Sequence, residues 1–368
     1  MKTVRRLIYG DVISTVGFVT LAFLSLFFFF DLVDELRWVN QGSSGGYKLR
    51  HALTYVSLLA PSRLYELLPI TVLIGTIVVM ARLAQNSEFT ILRTSGLGPW
   101  RALRTLLGLG LMFTLTTFAI GDYVAPAADQ FGRLLRSRYT GEITIGQTGA
   151  WLKEKQAYNS YAVNVGTLLP DGGMRQIRII EFDNLGRLVS NTRAETGQFG
   201  LDDAWRLEKV DRTDFSGTEG KEGVAARANL PTYRWPTSLT AEMVSVALLN
   251  PERMPIVDLF QYMRHLDANG QASQRYEIGF WRKVFYPLSC LVMVVLALPF
   301  AYLHFRAGGI STYVFIGVMT GISFFLLNNL FGHFGNLRNW EPWLAAAAPG
   351  LIYSILSLSA FGWLVLRR

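Results

Sequence analysis

The chain has 368 residues, with 35 Lys and Arg against 27 Asp and Glu for a formal net charge of +8, 51% hydrophobic and 17% charged residues, and a mean hydropathy of +0.27. So few charges exclude an ordinary soluble globular protein, in which about a quarter of residues are charged, and 13% aromatic residues leave too much apolar surface for a disordered chain. The single cysteine, Cys290, can build neither an intramolecular disulfide nor a thiolate metal cluster.

Uncharged runs cover residues 12–30, 67–81, 105–121, 284–305, 307–337 and 342–366. With ends that reach the headgroups, each can form a helix of the roughly 17–25 residues that cross a bilayer core. The runs predict six spans, three before and three after a polar stretch from 122 to 283. The first run follows Lys2, Arg5 and Arg6, as a secretory signal would. It is too long for an h-region and no Ala-x-Ala site closes it, so it is expected to remain as a permanent span.

Six spans put both termini on one side, with Lys2, Arg5, Arg6, Arg82, Arg93, Arg101, Arg104, Arg306, Arg367 and Arg368. The opposite short loops hold Arg37, Lys48, Arg50, Arg63 and Arg338. Ten against five predicts cytoplasmic termini, because short loops obey the positive-inside rule while long domains are translocated largely regardless of charge. Arg133, Arg136, Arg138, Arg275, Arg282 and Lys283 nevertheless crowd the outer membrane ends, an excess that needs a cause.

Between the second and third runs, Asn86 or Ser87 can cap a helix with Glu88 in its first turn, Arg93 toward its end and Gly96 placed for a left-handed stop. A helix of about two turns is unstable alone in water, where roughly 12–15 residues are marginal, so it must dock. Phe89 and Leu92 give it an apolar face, and Glu88 and Arg93 a charged rim. It is either an interfacial turn lying on lipid or a coupling helix seated in a groove of a cytoplasmic partner.

The polar stretch reads as β. Tyr161, Val163 and Val165 alternate with Ala162 and Asn164, and Trp205, Leu207 and Lys209 with Arg206, Glu208 and Val210. Turns fall at Asp171-Gly172-Gly173 and Asp183-Asn184-Leu185-Gly186. Strands so punctuated suggest a sandwich or jelly roll. Residues 177–182 alternate poorly, which predicts a bulge or two-sided burial. After Pro255, Val257, Phe260 and Met263 recur every third position, a helix with His265 near its end that leads to the fourth span.

No GxxxxGK[ST] phosphate-binding loop and no HExxH motif occurs. His51, His265, His304 and His333 are scattered, so no metal site is expected, and Cys290 is most simply a core residue.

In their order and spacing the motifs resemble one family. The residues that carry this are Ala84-Gln85-Asn86-Ser87-Glu88 opening the short helix and Thr94-Ser95-Gly96 closing it, then Gly121-Asp122-Tyr123-Val124-Ala125-Pro126, Gly149-Ala150-Trp151-Leu152-Lys153, and Trp281-Arg282-Lys283-Val284-Phe285-Tyr286-Pro287-Leu288-Ser289. Together with the three-β-three plan, they resemble the permease subunits of the lipopolysaccharide-export ABC transporter over essentially the whole chain. The Trp151 segment, Leu239-Thr240-Ala241-Glu242 and Asn250-Pro251-Glu252 lean toward the G-type rather than the F-type sister.

The resemblance implies a membrane α-helical fold of six transmembrane helices, 3+3, with an inserted periplasmic all-β jelly roll. Residues 1–124 would carry the first three helices, with the coupling helix near 87–96. Residues 125–254 would form the β-jellyroll domain with a helical entry, 255–279 a connecting helix and 280–368 the last three spans. It implies a non-catalytic subunit of a bacterial inner membrane that binds no cofactor itself. ATP and Mg would sit on two copies of a cytoplasmic ATPase, beside an F-type sister permease and a single-span periplasmic jelly-roll protein. The substrate would be lipopolysaccharide, drawn from the outer leaflet, with no nucleic acid involved.

The match gives Glu88, Phe89, Leu92, Arg93 and Gly96 to the ATPase contact. It gives the gate and cavity to Phe27, Asp31, Asp34 and Trp38, and the substrate's phosphates to Arg37, Arg133 and Arg136. Phosphates at headgroup depth account for the outer basic excess, since Arg recognises phosphate in a bidentate way; the bland alternative is that these arginines snorkel to any headgroup. Arg133 and Arg136 share a face if the helix resumes beyond Pro126. Phe18, Phe23 and Phe27 to Phe30 are candidates to line an acyl cavity, or simply to face lipid. One departure stands out: the family often places a base at the outer end of the first span, where this chain has Asp31, Asp34 and Glu35, and a divalent ion bridging carboxylate to phosphate is the speculative substitute. Two other classes remain, a mechanotransmitting ABC subunit, which commonly has four spans, and a lipid-modifying enzyme, for which only Asp122, Asp129 and Glu142 cluster near the outer end of the third span.

Overall fold

The computed structural model describes residues 2–39, 47–94, 96, 98–140, 150–156, 158–169, 172–200, 204–216, 224–240, 243–244, 251–270, 273–302 and 310–366. Expected features at Ser95, Glu142, Gly149, Asp171, Ala241, Glu242, Asn250, His304 and Arg306, and at Arg367 and Arg368, lie outside them. The chain groups into two compact units. One comprises Met1–Leu36, Val56–Asp129 and Gln274–Arg368, and the other Arg37–Tyr55 and Gln130–Ser273.

The helices are α1 (Lys2–Leu36), α2 (Leu49–Gln85), α3 (Glu88–Thr94), α4 (Pro99–Ala119) and α5 (Ala125–Thr140), then α6 (Ile256–Ala268), α7 (Gln274–Phe285), α8 (Leu288–Leu296), α9 (Ile310–Leu337) and α10 (Pro342–Leu366). Among the described residues, five stretches are long and apolar enough to cross a bilayer: Arg5–Leu36, Leu49–Gln85, Pro99–Arg136, Ser311–Leu337 and Pro342–Trp363. A sixth exists if α7 and the helical run that begins with α8, bent by 50° at a short break, count as one span. The fourth apolar run, expected as one span over 284–305, is therefore interrupted at Tyr286–Pro287, where proline removes a helical donor.

Within the helical unit, small residues set the crossings, because helices in lipid associate through close backbone packing. A Cβ on Gly75 of α2 would lie 2.9 Å from the backbone N and Cα of Val16 on α1, and one on Gly110 of α4 would lie 2.9 Å from Cα of Leu291 on α8. Buried Thr20 donates to Thr71 across the α1–α2 contact at 2.9 Å. Ile8, Val12, Val16, Leu106, Leu109 and Val294 belong to one continuous core. Between α4 and α5 the chain makes a π-helical turn, Ile120–Val124, and the helix runs on past Pro126 as α5.

The other unit holds β1 (Ala150–Lys155), β2 (Asn159–Leu168), β3 (Met174–Asp183), β4 (Leu188–Phe199), β5 (Ala204–Ser216) and β6 (Val224–Pro236). They form one antiparallel sheet with strands paired in chain order. The expected alternation holds on β2, where Val163 and Val165 are buried, and on β5 as far as Leu207; beyond it Val210 is buried and Lys209 exposed, the reverse of the expected order, and Ile177 and Ile179 of β3 are buried as well. Lys209 on β5 and Gln176 on β3 break the alternation, with left-handed φ of 51° and 54°, and the β3–β4 register shifts at Glu181 and Phe182. This is the irregularity that residues 177–182 foreshadowed.

Such strands curl. Arg212 is paired in register with Ala228, and Tyr233 with Leu207, yet Arg212 Nη1 donates to Tyr233 Oη at 2.6 Å. On a flat ribbon those register rows would lie about 17 Å apart. At one end the sheet's margins meet: buried Glu154 of β1 accepts from the Thr237 hydroxyl and from Ser238 N–H and hydroxyl just beyond β6. Glu181, also buried, accepts from Asn159, Tyr161 and Ser190, with Arg212 3.6 Å away. Burial, and then the Glu181 charge, push the Tyr161 hydroxyl above its usual pKa. The helix expected after Pro255 is α6, with Pro255 preceding its first turn.

Candidate functional site

The short helix after the second span forms over seven residues, framed by left-handed Ser87 (φ 58°) and Gly96 (φ 100°). Ile91 N–H donates to Ser87 O, Asn86 Nδ2 to Glu88 Oε1 at 3.2 Å, and Arg101 Nη1 to Gly96 O at 3.0 Å, which ties the end of the helix to the start of α4. Its apolar face is turned inward. Phe89 is only 4% exposed, and its ring meets Tyr302 edge-on with centroids 4.9 Å apart; Leu92 packs against the same core. Phe89 thus belongs to the chain's own helical unit and cannot also fill a groove of a second protein. The exposed apolar side chain on α3 is Ile91, at 61%, and Glu88 is exposed near it in sequence. The sequence reading missed Ile91 because a two-turn helix offers too few positions to tell its inner from its outer stripe. The Arg93 side chain lies outside the described residues.

At the far end of α1, Asp31 accepts a bidentate pair from Arg63 of α2, at 2.9 Å from Nε and 2.7 Å from Nη2. Arg63 also reaches Glu66 at 3.2 Å, and its guanidinium carbon lies 5.6 Å from the Phe27 ring centroid. The acidic departure at the end of α1 therefore has a cationic answer in the chain itself, on α2. Arg63 was not singled out because no short-range pattern links it to Asp31, 32 positions earlier. Asp34 is exposed and Glu35 buried. Past Thr20 the C-terminal half of α1 carries a row of exposed apolar side chains, among them Leu21, Leu26, Phe29 and Phe30.

In the other unit, the Arg136 guanidinium lies 4.8 Å from the Trp38 ring centroid and 5.4 Å from that of Tyr55. Arg133, three residues earlier on α5, is half-buried, and Arg37 is exposed. Tyr139, one turn beyond Arg136, stacks on His51 at 4.1 Å. Of the residues expected to meet phosphate or form the gate, the structure brings Trp38 and Arg136 into direct contact. Both rings lie within cation–π range of the Arg136 guanidinium.

Lys283, expected only as part of the outer basic flank, is buried, and its Nζ donates to the Gly121 carbonyl inside the π-helical turn at 3.0 Å. A Cβ on Gly121 would meet the Tyr65 ring at 2.3 Å, Tyr65 lies 5.1 Å from Tyr286, and Tyr286 Oη donates to Glu66 O at 2.6 Å. A buried ammonium among spans is costly and needs such a carbonyl, and π-helical turns recur where proteins do work.

A profile of the family described as lipopolysaccharide export system permease LptF/LptG matches residues 6–367. The lipopolysaccharide export system permease protein LptG of Escherichia coli strain K12 is 28% identical over 366 aligned residues, covering 99% of this chain and 98% of that protein. The LptG protein of Haemophilus influenzae is 25% identical over 371 aligned positions, covering 100% and 99%.

Proposed function

The chain belongs to the lipopolysaccharide export permease family LptF/LptG, and on that premise we propose how its parts divide the work of moving lipopolysaccharide. It is a membrane-embedded, non-catalytic permease subunit of a lipopolysaccharide-export ABC transporter. In this reading it is the G-type subunit and pairs with the F-type sister. Two copies of a cytoplasmic ATPase supply ATP hydrolysis, and a single-span periplasmic jelly-roll protein stands beside the first span. Both termini are cytoplasmic in the Gram-negative inner membrane, and the β unit is a periplasmic jelly roll, a shape its curled strands and joined margins support.

The observation that carries the coupling step is α3. Its inner side is spent on Phe89 and Leu92 in the chain's own core, and its outer side presents Glu88 and Ile91. A helix too short to stand alone, fixed on one side and exposed on the other, passes displacement from an ATPase groove into α2 and α4 as levers. The outer half of α1 acts as the gate, held to α2 by the Asp31–Arg63 pair. Arg136, steadied by Trp38 and Tyr55, takes phosphate on the substrate head, with Arg133 and Arg37 as further cations.

Glu88→Lys tests the coupling. Glu88 is exposed, so the chain is expected to fold and insert normally, while ATP-dependent release of lipopolysaccharide from membranes drops to background. Wild-type release from the variant defeats this role.

A further inference from the structure

In the turn Ile120–Val124 the Ala125 N–H donates to Ile120 O, five residues back, as a π-helical turn requires. The next rung would run from residue 126 to Gly121 O, but residue 126 is proline and has no N–H. Neither donor that serves such a carbonyl in an α- or π-helix therefore reaches Gly121 O: the Ala125 N–H is committed to Ile120, and the other does not exist. Gly121 is buried, and a buried carbonyl without a donor is costly. Lys283 of α7, itself only 5% exposed, supplies one, with Nζ 3.0 Å from Gly121 O. That lysine stands on a fixed frame. Arg282, beside it, donates from Nη2 to Asn328 O at 2.9 Å and to Asn329 Oδ1 at 3.1 Å on α9. Gly332 makes room for this, since a Cβ there would lie 3.2 Å from the guanidinium carbon. Tyr286, at the break, is tied to Glu66 O of α2.

We infer that Lys283 is a positioning residue for transport: it stands in for the N–H that Pro126 lacks and pins the π-helical turn, so that α4 and the first turn of α5 move as one lever braced on α7. The inference rests on the permease reading and adds to it the point at which the third span is braced. Without the pin, the turn has an α-helical alternative. The Ala125 N–H then shifts from Ile120 O to Gly121 O, and the residues beyond it rotate by about 100° relative to α4. Replacing Pro126 by alanine makes the lysine redundant in either form, because Gly121 O is then served by residue 126 in the π-helical turn or by Ala125 in the α-helical one.

The test uses the full-length chain with its partner subunits in nanodiscs and reads three quantities: hydrogen exchange over residues 120–125, ATP-dependent release of lipopolysaccharide, and ATPase rate. Lys283→Met is expected to speed the exchange about tenfold, the scale of one buried carbonyl left without its donor. Release should fall about tenfold with it, while the ATPase rate stays within about twofold because α3 is untouched. Added to Pro126→Ala, the same substitution is expected to change the exchange by less than about twofold. A lysine acting elsewhere gives equal effects in both backgrounds. That result, or wild-type exchange in Lys283→Met, overturns the pin and leaves the permease reading standing; faster exchange with unchanged release overturns its role in transport. Should Lys283→Met instead lower the yield of assembled complex, Pro126→Ala is expected to restore that yield, and failure to restore it also overturns the pin. A wild-type complex that releases no lipopolysaccharide overturns the permease reading, and the exchange comparison still decides the pin.

Discussion

Phe89 and Ile91 lie two residues apart on α3 and face opposite ways, so replacing each separates the two jobs of that helix. Phe89→Ala removes a side chain that is 4% exposed and in edge contact with Tyr302. A buried Phe→Ala change costs about 3–5 kcal/mol, of which roughly 0.5–1.5 kcal/mol is the aromatic pair. The helix has little to set against that loss, for seven residues do not hold a helix alone, and the left-handed Ser87 adds a cost of about 1–2 kcal/mol. The expected result is local detachment of α3 with the spans intact. Hydrogen exchange at the Ile91 amide, which donates to Ser87 O, should accelerate by about two to three orders of magnitude at about 1.4 kcal/mol per decade. ATPase retention on the purified complex should fall with it. Ile91→Ala should leave that exchange rate unchanged and still reduce ATPase retention. An Ile91 amide that exchanges less than about fivefold faster in Phe89→Ala would refute the anchoring argument, and full ATPase retention in Ile91→Ala would refute the outward contact.

Asp31→Arg or Arg63→Asp alone should free the C-terminal half of α1, which we propose as the gate, seen as faster disulfide formation between a cysteine placed there and one on a neighbouring subunit; combining the two reversals should restore most of the wild-type rate, and an unrestored double variant would mean that the pair does not hold α1 to α2. Glu181→Ala strands the Asn159, Tyr161 and Ser190 donors inside the sheet and should cost about 3 kcal/mol by denaturant unfolding of the full-length chain followed through Trp205 and Trp235; a loss below about 1 kcal/mol would contradict the network. Burial holds His265 of α6 below its ordinary 6.5, with the Glu154 charge acting the other way. As pH falls from 6.5 the unfolded chain takes the proton first, so the β unit should lose stability over the range from 6.5 down to the depressed native value, and His265→Gln should flatten that slope.

The membrane class, the number of apolar runs, the inserted all-β segment and the family were legible in the sequence, for each rests on patterns that recur within a few residues: long uncharged stretches, period-two alternation, glycines at turns such as Gly186 (φ 77°). The short helix at 88–94 was legible for the same reason. Which way it faced was not, since Phe89 is buried by Tyr302, far along the chain. Likewise α2 begins at Leu49, well before the uncharged run at 67, because Arg63 is matched by Asp31 on another helix and does not end the span. The break at Tyr286–Pro287, the burial of Lys283 against a π-helical carbonyl, and the approach of Arg136 to Trp38 were settled only in three dimensions. Local pattern fixes what kind of element a segment becomes, because hydration and backbone hydrogen bonding act over a few residues. The partner of each charge and ring depends on which distant surfaces pack together, and in this chain those partners make the site.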